Sequence, residues 1–265
     1  MKKSVFIAAA VVLVVLAAVF AAGCTSTPEK TVTGYADLNG SKIAVQLGTT
    51  GDLIITDLAA ENPGTTLSRY TNIVDGITDL KNGKVDCVVI DSEIAKYYVT
   101  DGSGLKIITD PEFSVEEYGF AMKKGNSDLL TKINTALAEL KADGTLDKIN
   151  MYYFGVEGGE QYKKDETIAR TGDLKVATHA EFPPYEYKDE GNFVGIDMDL
   201  MQAVADKLGL NLVVNDIAFG SILTSIESGK DDVGASAITI TDERKKNNDF
   251  SDVYATSVQV IVVKE

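Results

Sequence analysis

Leu80-Lys-Asn-Gly-Lys-Val-Asp-Cys-Val-Val-Ile90 reads as the end of a helix, a tight turn and a buried strand. Ile73, Ile77 and Leu80 recur at helical spacing, and Asn82-Gly83 stops that helix. Residues 85–90 are an apolar run broken only by Asp86, the pattern of a strand covered on both faces. Upstream, residues 42–45 predict a strand, 47–51 a turn, 52–60 a helix and 66–69 a short strand. Downstream, 92–98 reads as helix and 105–108 as strand. Strands alternating with helices at this spacing predict a mainly parallel α/β sheet.

The rest of the chain continues the pattern. Residues 118–122 read as a strand. Leu129, Ile133, Leu137 and Leu140 form one face of a helix ended by Asp143-Gly144, and a second helix covers 146–154. Residues 155–172 are polar and glycine-rich, so they read as a linker. A second series follows: strand 174–178, a Pro-Pro turn with a short hairpin to Val194, helix 197–208, strand 211–215, helix 221–228 and strand 232–235. Residues 258–263 form a last apolar strand. Leu80-Lys-Asn-Gly-Lys-Val-Asp86 and Ile226-Glu-Ser-Gly-Lys-Asp-Asp232 echo each other as helix end, Gly-Lys turn and an Asp leading into a strand. Two similar α/β units explain the echo; chance is the rival, because Gly-Lys is a common helix ending.

Lys2 and Lys3, the apolar run 5–20 and Ala21-Ala22-Gly23 before Cys24 have the form of a secretory signal (1–23) ending at a lipidation cysteine. The run is short for a transmembrane anchor, which needs about 20 residues. Residues 24–36 then read as a lipid-anchored tether. The formal charge of −15 argues against nucleic acid and anionic lipid as partners. The only cysteines are Cys24 and Cys87, so an acylated Cys24 leaves no intramolecular disulfide, and Cys87 in its apolar run has a packing role. His179 is the only histidine, no Gly-x-Ser-x-Gly elbow or P-loop is present, and zinc-type ligand clusters are missing. Asp197-x-Asp199 resembles half a metal site but reads better as a helix N-terminus. Catalysis is poorly supported, and no cofactor is implied.

Thr178-His-Ala-Glu-Phe-Pro-Pro-Tyr-Glu-Tyr187 with Phe193-Val-Gly-Ile-Asp-Met-Asp-Leu200 resembles the opening of the polar amino-acid-binding family of extracellular solute-binding proteins (family 3). Ile238-Thr-Ile-Thr-Asp-Glu-Arg-Lys-Lys246 with Asp249-Phe-Ser-Asp252 is similar to its most distinctive stretch. Lys42-Ile-Ala-Val-Gln-Leu-Gly-Thr-Thr-Gly51, Asn82-Gly-Lys-Val-Asp86, Glu117-Tyr-Gly-Phe-Ala121 and Leu140-Lys-Ala-Asp-Gly-Thr-Leu-Asp-Lys148 match its second half. The matches cover nearly everything after residue 37, but in the wrong order. The family normally begins with the Phe-Pro-Pro segment and ends with the Asp-Gly-Thr helix, so the chain looks like a circular permutant. The resemblance implies a two-lobed, type II periplasmic-binding-protein-like fold, with lobes 37–110 and 116–265 and a ligand cleft between them. Asp37 and Glu265 are then expected to meet at the hinge, with only the segment 109–117 crossing between lobes.

The resemblance also implies roles. Arg244 grips an amino acid's carboxylate, because its planar fork matches two oxygens. The Thr239 hydroxyl and nearby main-chain N–H add bonds to that group. Asp91 accepts from the ammonium, helped by the Ala237 carbonyl, and Thr50 adds a donor from the other lobe. Phe182 and Phe219 sandwich the aliphatic part. His179 stands where many relatives carry aspartate. That argues against lysine- or arginine-type ligands, and for a polar neutral ligand or, with His179 protonated, an acidic one. Each residue has a plainer reading as well: Arg244 as a solvated charge beside Asp242 and Glu243, Asp91 as a helix cap, the two Phe as core, Thr50 as a turn residue, His179 as a surface histidine. The function implied is an extracytoplasmic, monomeric capture subunit delivering an amino acid to an ABC permease. A receptor module for a membrane sensor is one alternative. A cyclohexadienyl dehydratase-like enzyme, with Glu181 as its general acid, is another.

Overall fold

The computed structural model describes residues 30–265. The expected signal segment and Cys24 lie outside the described residues. The chain begins as the alternation predicts: β1 (Lys42–Gln46), α1 (Thr50–Glu61), β2 (Thr66–Tyr70), α2 (Ile73–Lys81), β3 (Cys87–Asp91), α3 (Ser92–Tyr98) and β4 (Leu105–Ile108); β5 (Val115–Tyr118) follows. It continues with β6 (Ala121–Lys123), α4 (Ser127–Ala142), α5 (Thr145–Tyr153), β7 (Asp173–Thr178), β8 (Glu181–Phe182), β9 (Glu186–Asp189), β10 (Asn192–Val194), α6 (Ile196–Leu208) and β11 (Asn211–Asp216). The last elements are α7 (Ile222–Ser228), β12 (Val233–Gly234), α8 (Asp242–Asn247), β13 (Asn248–Phe250) and β14 (Ala255–Lys264).

Among the described residues the strands form two main sheets, a mixed α/β architecture. One has the order β2-β1-β3-β14-β4, with β5 pairing β14; the other has the order β11-β7-β12-β6-β13. In the first, β2, β1 and β3 run parallel and β14 enters antiparallel. In the second, β11, β7 and β12 run parallel and β6 enters antiparallel. Strands β8 to β10 make a small separate sheet.

Four readings of the sequence change here. Residues 258–263, assigned with 116–265, lie in the first sheet, where β14 runs between β3 and β4. Val260 to Val263 are buried on both faces, which suits a strand flanked on either side. The chain therefore crosses between the sheets twice, at 119–120 and at 251–254, and not once. Secondly, the strand expected at 118–122 is two strands, β5 in the first sheet and β6 in the second. Gly119 lies at the break, where a Cβ would stand 2.8 Å from the Ile240 side chain. Thirdly, 155–172 is pinned to α6: Tyr162 N–H donates to Asp199, Asp165 N–H donates to Asp206, and the buried Arg170–Asp206 ion pair measures 2.6 Å. Fourthly, the tether reading ends early. Val32 is buried, a 3-10 turn spans Tyr35–Leu38, and Tyr35 N–H donates to Asp110 at 2.7 Å. Leu38 shares a buried cluster with Ile261 and Val263 of the last strand. Cys87 is buried in the same cluster.

The sequence echo is a structural repeat. Lys84 N–H reaches Asp79 O at 2.9 Å, and Lys230 N–H reaches Ser225 O at 3.0 Å, the long bond of a Schellman turn in both places. Asp86 then takes the Lys42 N–H on its carboxylate at 2.7 Å, and Asp232 takes the Lys175 N–H at 2.9 Å. Each Asp thereby fixes a strand to the start of its parallel neighbour.

Candidate functional site

All eight residues expected to bind a ligand line one pocket: Thr50, Asp91, His179, Phe182, Phe219, Ala237, Thr239 and Arg244. Gln46, Thr49, Glu186 and Ser236 complete it. The first sheet brings Thr50, at the start of α1, and Asp91, at the end of β3. The second brings His179 just after β7, and the 236–244 segment after β12. Thr239 is held against the crossing strand β5, with Gly119 N–H donating to Ile238 O and Ile240 N–H donating to Glu117 O. The pocket is nearly closed: about 10 Å³ is open to the centre of a water molecule, room for about one.

Arg244 is 8% exposed, which removes the solvated-charge reading. Its Nη1 donates to Thr239 O at 2.7 Å and its Nη2 to Gly48 O at 3.0 Å, so the guanidinium spans from one sheet's loop to the other's. Gly48 has φ +82°, and a Cβ there would stand 3.2 Å from the Gly220 Cα, so the two loops meet closely at glycine. The Arg244 guanidinium carbon lies 5.7 Å from the Phe219 ring centre, within cation–π range. Burial pulls the Arg244 pKa down, opposed by the charges of Glu116 and Asp91.

Asp91 precedes α3 but makes no side-chain cap. Its carboxylate instead accepts from Tyr118 OH and Gln259 Nε2. Burial, then the neighbouring charge of Glu116, pushes its pKa up to about 7, against the pull of those two donors and Arg244. Phe182 belongs to the main buried core as well as to the pocket wall, and Phe219 packs on a smaller core cluster. Both rings therefore pack in the core and also line the pocket. Thr50 is no mere turn residue, since its hydroxyl donates to Glu116 at 2.8 Å.

His179 is buried, not a surface side chain. Its Nδ1 lies 3.1 Å from Ile217 O, and a carbonyl can only accept, so Nδ1 carries a proton. Nε2 is buried without a partner. In the neutral ring it offers a lone pair. Glu181, the nominated general acid, is exposed and is not among the pocket-lining residues.

Sequence reasoning missed Glu186 and Glu116. Glu186 is wholly buried. Its Oε1 accepts from Ser236 at 2.5 Å and its Oε2 has no partner. Burial, then the charge of Asp197, raises its pKa well above the usual range. Asp197, at the start of α6, accepts from Ala237 N–H at 2.8 Å and Tyr254 OH at 2.9 Å, and burial pushes its pKa up to about 7. It thereby fixes the main chain of Ala237, which has φ 45°. Among the described residues no group of three or more His, Cys, Asp or Glu has a geometry that could hold a metal ion.

The arginine-binding extracellular protein ArtP of Bacillus subtilis (strain 168) is 44% identical over 92 residues, 35% of this chain and 36% of that protein. A probable histidine-binding protein of Neisseria gonorrhoeae is 35% identical over 125 residues, 46% of each. The L-cystine-binding protein TcyJ of Escherichia coli (strain K12) is 33% identical over 130 residues, 49% of this chain and 47% of that one. A solved structure of an ancestral arginine-binding protein bound to arginine is 46% identical, covers 29% of this chain and 34% of its own, and has a TM-score of 0.29. The chain spans about a third to a half of the length of the curated relatives it matches. The model of the family of bacterial extracellular solute-binding proteins, family 3, matches residues 26–156 and 174–265, and the chain belongs to that family.

Proposed function

We propose that this protein captures a free amino acid outside the cytoplasm and delivers it to an ABC permease. The observation that carries the reading is the meeting of Arg244 and Asp91, opposite charges from opposite sheets, in one pocket. A zwitterion needs that pair. Arg244 takes the carboxylate with Thr239 and Thr50, Asp91 and the Ala237 carbonyl take the ammonium, and Phe182 and Phe219 flank the aliphatic part. Binding across the two sheets favours closure. Relatives named for binding arginine, histidine and cystine support the ligand class.

The side chain recognised is rich in donors. Glu186 Oε2 and His179 Nε2 are unpartnered polar atoms on pocket residues. Buried acceptors without donors are costly, and a guanidinium, ammonium or imidazolium supplies donors. Glu186 thus supplies a pocket carboxyl group where histidine at 179 removes one; its pKa is raised in the empty pocket, and a cationic side chain would draw it back toward the charged form, which reopens basic ligands. Acylation of Cys24 would anchor the protein at the membrane, as a monomer. A circularly permuted order of segments accounts for a family match in two stretches divided at 157–173.

The test is a thermal-shift screen of the purified full-length chain against the common amino acids. A ligand that binds the folded state alone raises the midpoint. Basic amino acids should give the largest rise, and calorimetry should show one site. A flat response to every amino acid would remove the reading, and turnover of arogenate or prephenate would favour the enzyme. A sensor partner in place of a permease would show as co-purification with a signalling protein.

A further inference from the structure

We propose that Glu116 is a built-in competitor for the ligand's carboxylate, occupying the same donors and clasping the two sheets together until a ligand displaces it. The inference rests on the amino-acid-binding reading of the pocket. It goes beyond that reading by making the receptor's affinity and its rest state depend on a residue of the crossing strand.

The geometry is specific. One oxygen, Glu116 Oε2, accepts from Thr50 Oγ1 at 2.8 Å and from Thr239 Oγ1 at 2.6 Å. Those hydroxyls come from α1 on the first sheet and from the 236–244 segment on the second. They are two of the three side chains assigned to the ligand carboxylate. The third, Arg244, is close enough that the charge of Glu116 is the leading attraction holding its proton. Two hydroxyl donors with a guanidinium nearby make an anion site, and here a carboxylate of the chain itself occupies the two hydroxyls, while Arg244 donates to Thr239 O and Gly48 O.

The placement follows from β5. Its residues alternate exposed and buried, so Glu116 and Tyr118 face inward together. Tyr118 donates to Asp91, the acceptor for the ammonium, while Glu116 takes the donors for the carboxylate. A carboxylate facing inward on a strand is costly to bury unless it is paired. Its partners are the receptor donors, so pairing and competition are one arrangement. Glu116 also lines a second cavity of about 430 Å³ beyond Thr50 and Thr239, with Leu53, Val115 and Ile240. That cavity gives the displaced side chain a place to go without breaking the strand.

The consequence is a threshold. A bare carboxylate exchanges one anion for another and gains little. An amino acid also brings an ammonium to Asp91 and a side chain to Glu186, so it can displace Glu116.

Acetate is the probe, because it carries a carboxylate and nothing else. Saturation-transfer NMR on the full-length protein at neutral pH should show Glu116→Ala binding acetate at least tenfold more tightly than the wild type. Glu116→Gln keeps the size and a weaker acceptor, and should fall between the two. Adding Arg244→Ala to Glu116→Ala should abolish the gain. Equal or weaker acetate binding in Glu116→Ala overturns the proposal. If that variant does not fold, a folded Glu116→Gln with no gain overturns it equally. The outcome does not depend on which amino acid binds. A wild type silent to every amino acid would sink the functional reading, while the acetate series would still decide on Glu116.

Discussion

Residues 79–86 and 225–232 fold alike. Each ends a helix in a Schellman turn, buries an aliphatic side chain (Leu80 in one, Ile226 in the other), and uses an Asp to hold a backbone N–H in the first half of a neighbouring parallel strand. The strands that follow, β3 and β12, each have an antiparallel neighbour, β14 and β6. Past that point the two regions part. β3 runs straight to Asp91, whose backbone is extended at φ −61°, ψ 141°. β12 stops early, and the corresponding place along the chain is Ala237, which turns at φ 45° into Thr239 and Arg244. One copy therefore presents a carboxylate to the pocket, and the other presents main chain, a hydroxyl and a guanidinium. The scaffold is repeated, and the chemistry at its tip is not.

Removing the charged tip of one copy is expected to have the largest effect. Arg244→Ala should abolish useful amino-acid binding, because truncating one partner of a desolvated charge pair costs about 2–5 kcal/mol. Calorimetry on the folded variant checks this; near-normal affinity would take Arg244 out of the site. Asp91→Asn keeps the shape and drops the charge. It should weaken binding by about 1.5–3 kcal/mol, the range for hydrogen bonds to charged groups.

Specificity sharpens the contrast further. Glu186→Gln should lower the affinity for arginine about tenfold relative to that for glutamine, roughly 1.4 kcal/mol. An unchanged ratio in competition binding would show that Glu186 does not face the ligand side chain.

The buried carboxylates also give a pH signature. Asp91 and Asp197 have pKa values pushed up to about 7 by burial, above the unfolded value of about 3.9. Between those limits the folded chain binds more protons than the unfolded one, so stability falls as pH rises through that window. The melting temperature without ligand should therefore be higher at pH 5 than at pH 8, and Asp197→Asn should flatten the slope. Asp110, held below the usual range by the N–H groups of Tyr35 and Glu112, acts with the opposite sign below the window. A melting temperature that rises from pH 5 to 8 would contradict the assignment.

The smallest expected effect tests the repeat itself. Asp86→Ala and Asp232→Ala should each cost about 1 kcal/mol of folding stability, and by similar amounts, since each loses one exposed hydrogen bond from a backbone N–H to a carboxylate. Urea unfolding of the two variants side by side would expose any inequality.

The sequence by itself determined the alternation of strands and helices, the helix ends at Gly83 and Gly229 and the echo between the halves, through local signals: periodicity and glycine at a left-handed position. Its resemblance to a known family, carried by motifs, pointed to eight residues that line the pocket. Tertiary structure alone decided which sheet receives β14, because an apolar run states that it is buried but not against what. It alone divided 118–122 between the sheets, since the clash that Gly119 avoids is with Ile240, far along the chain. It turned 155–172 from a linker into a strap, because Asp206 is buried on α6 and nothing near the strap in sequence announces it. The same reason hid Glu116 and Glu186. A charged residue on a strand looks solvated until the fold shows which face of the strand is covered, and which donors lie opposite.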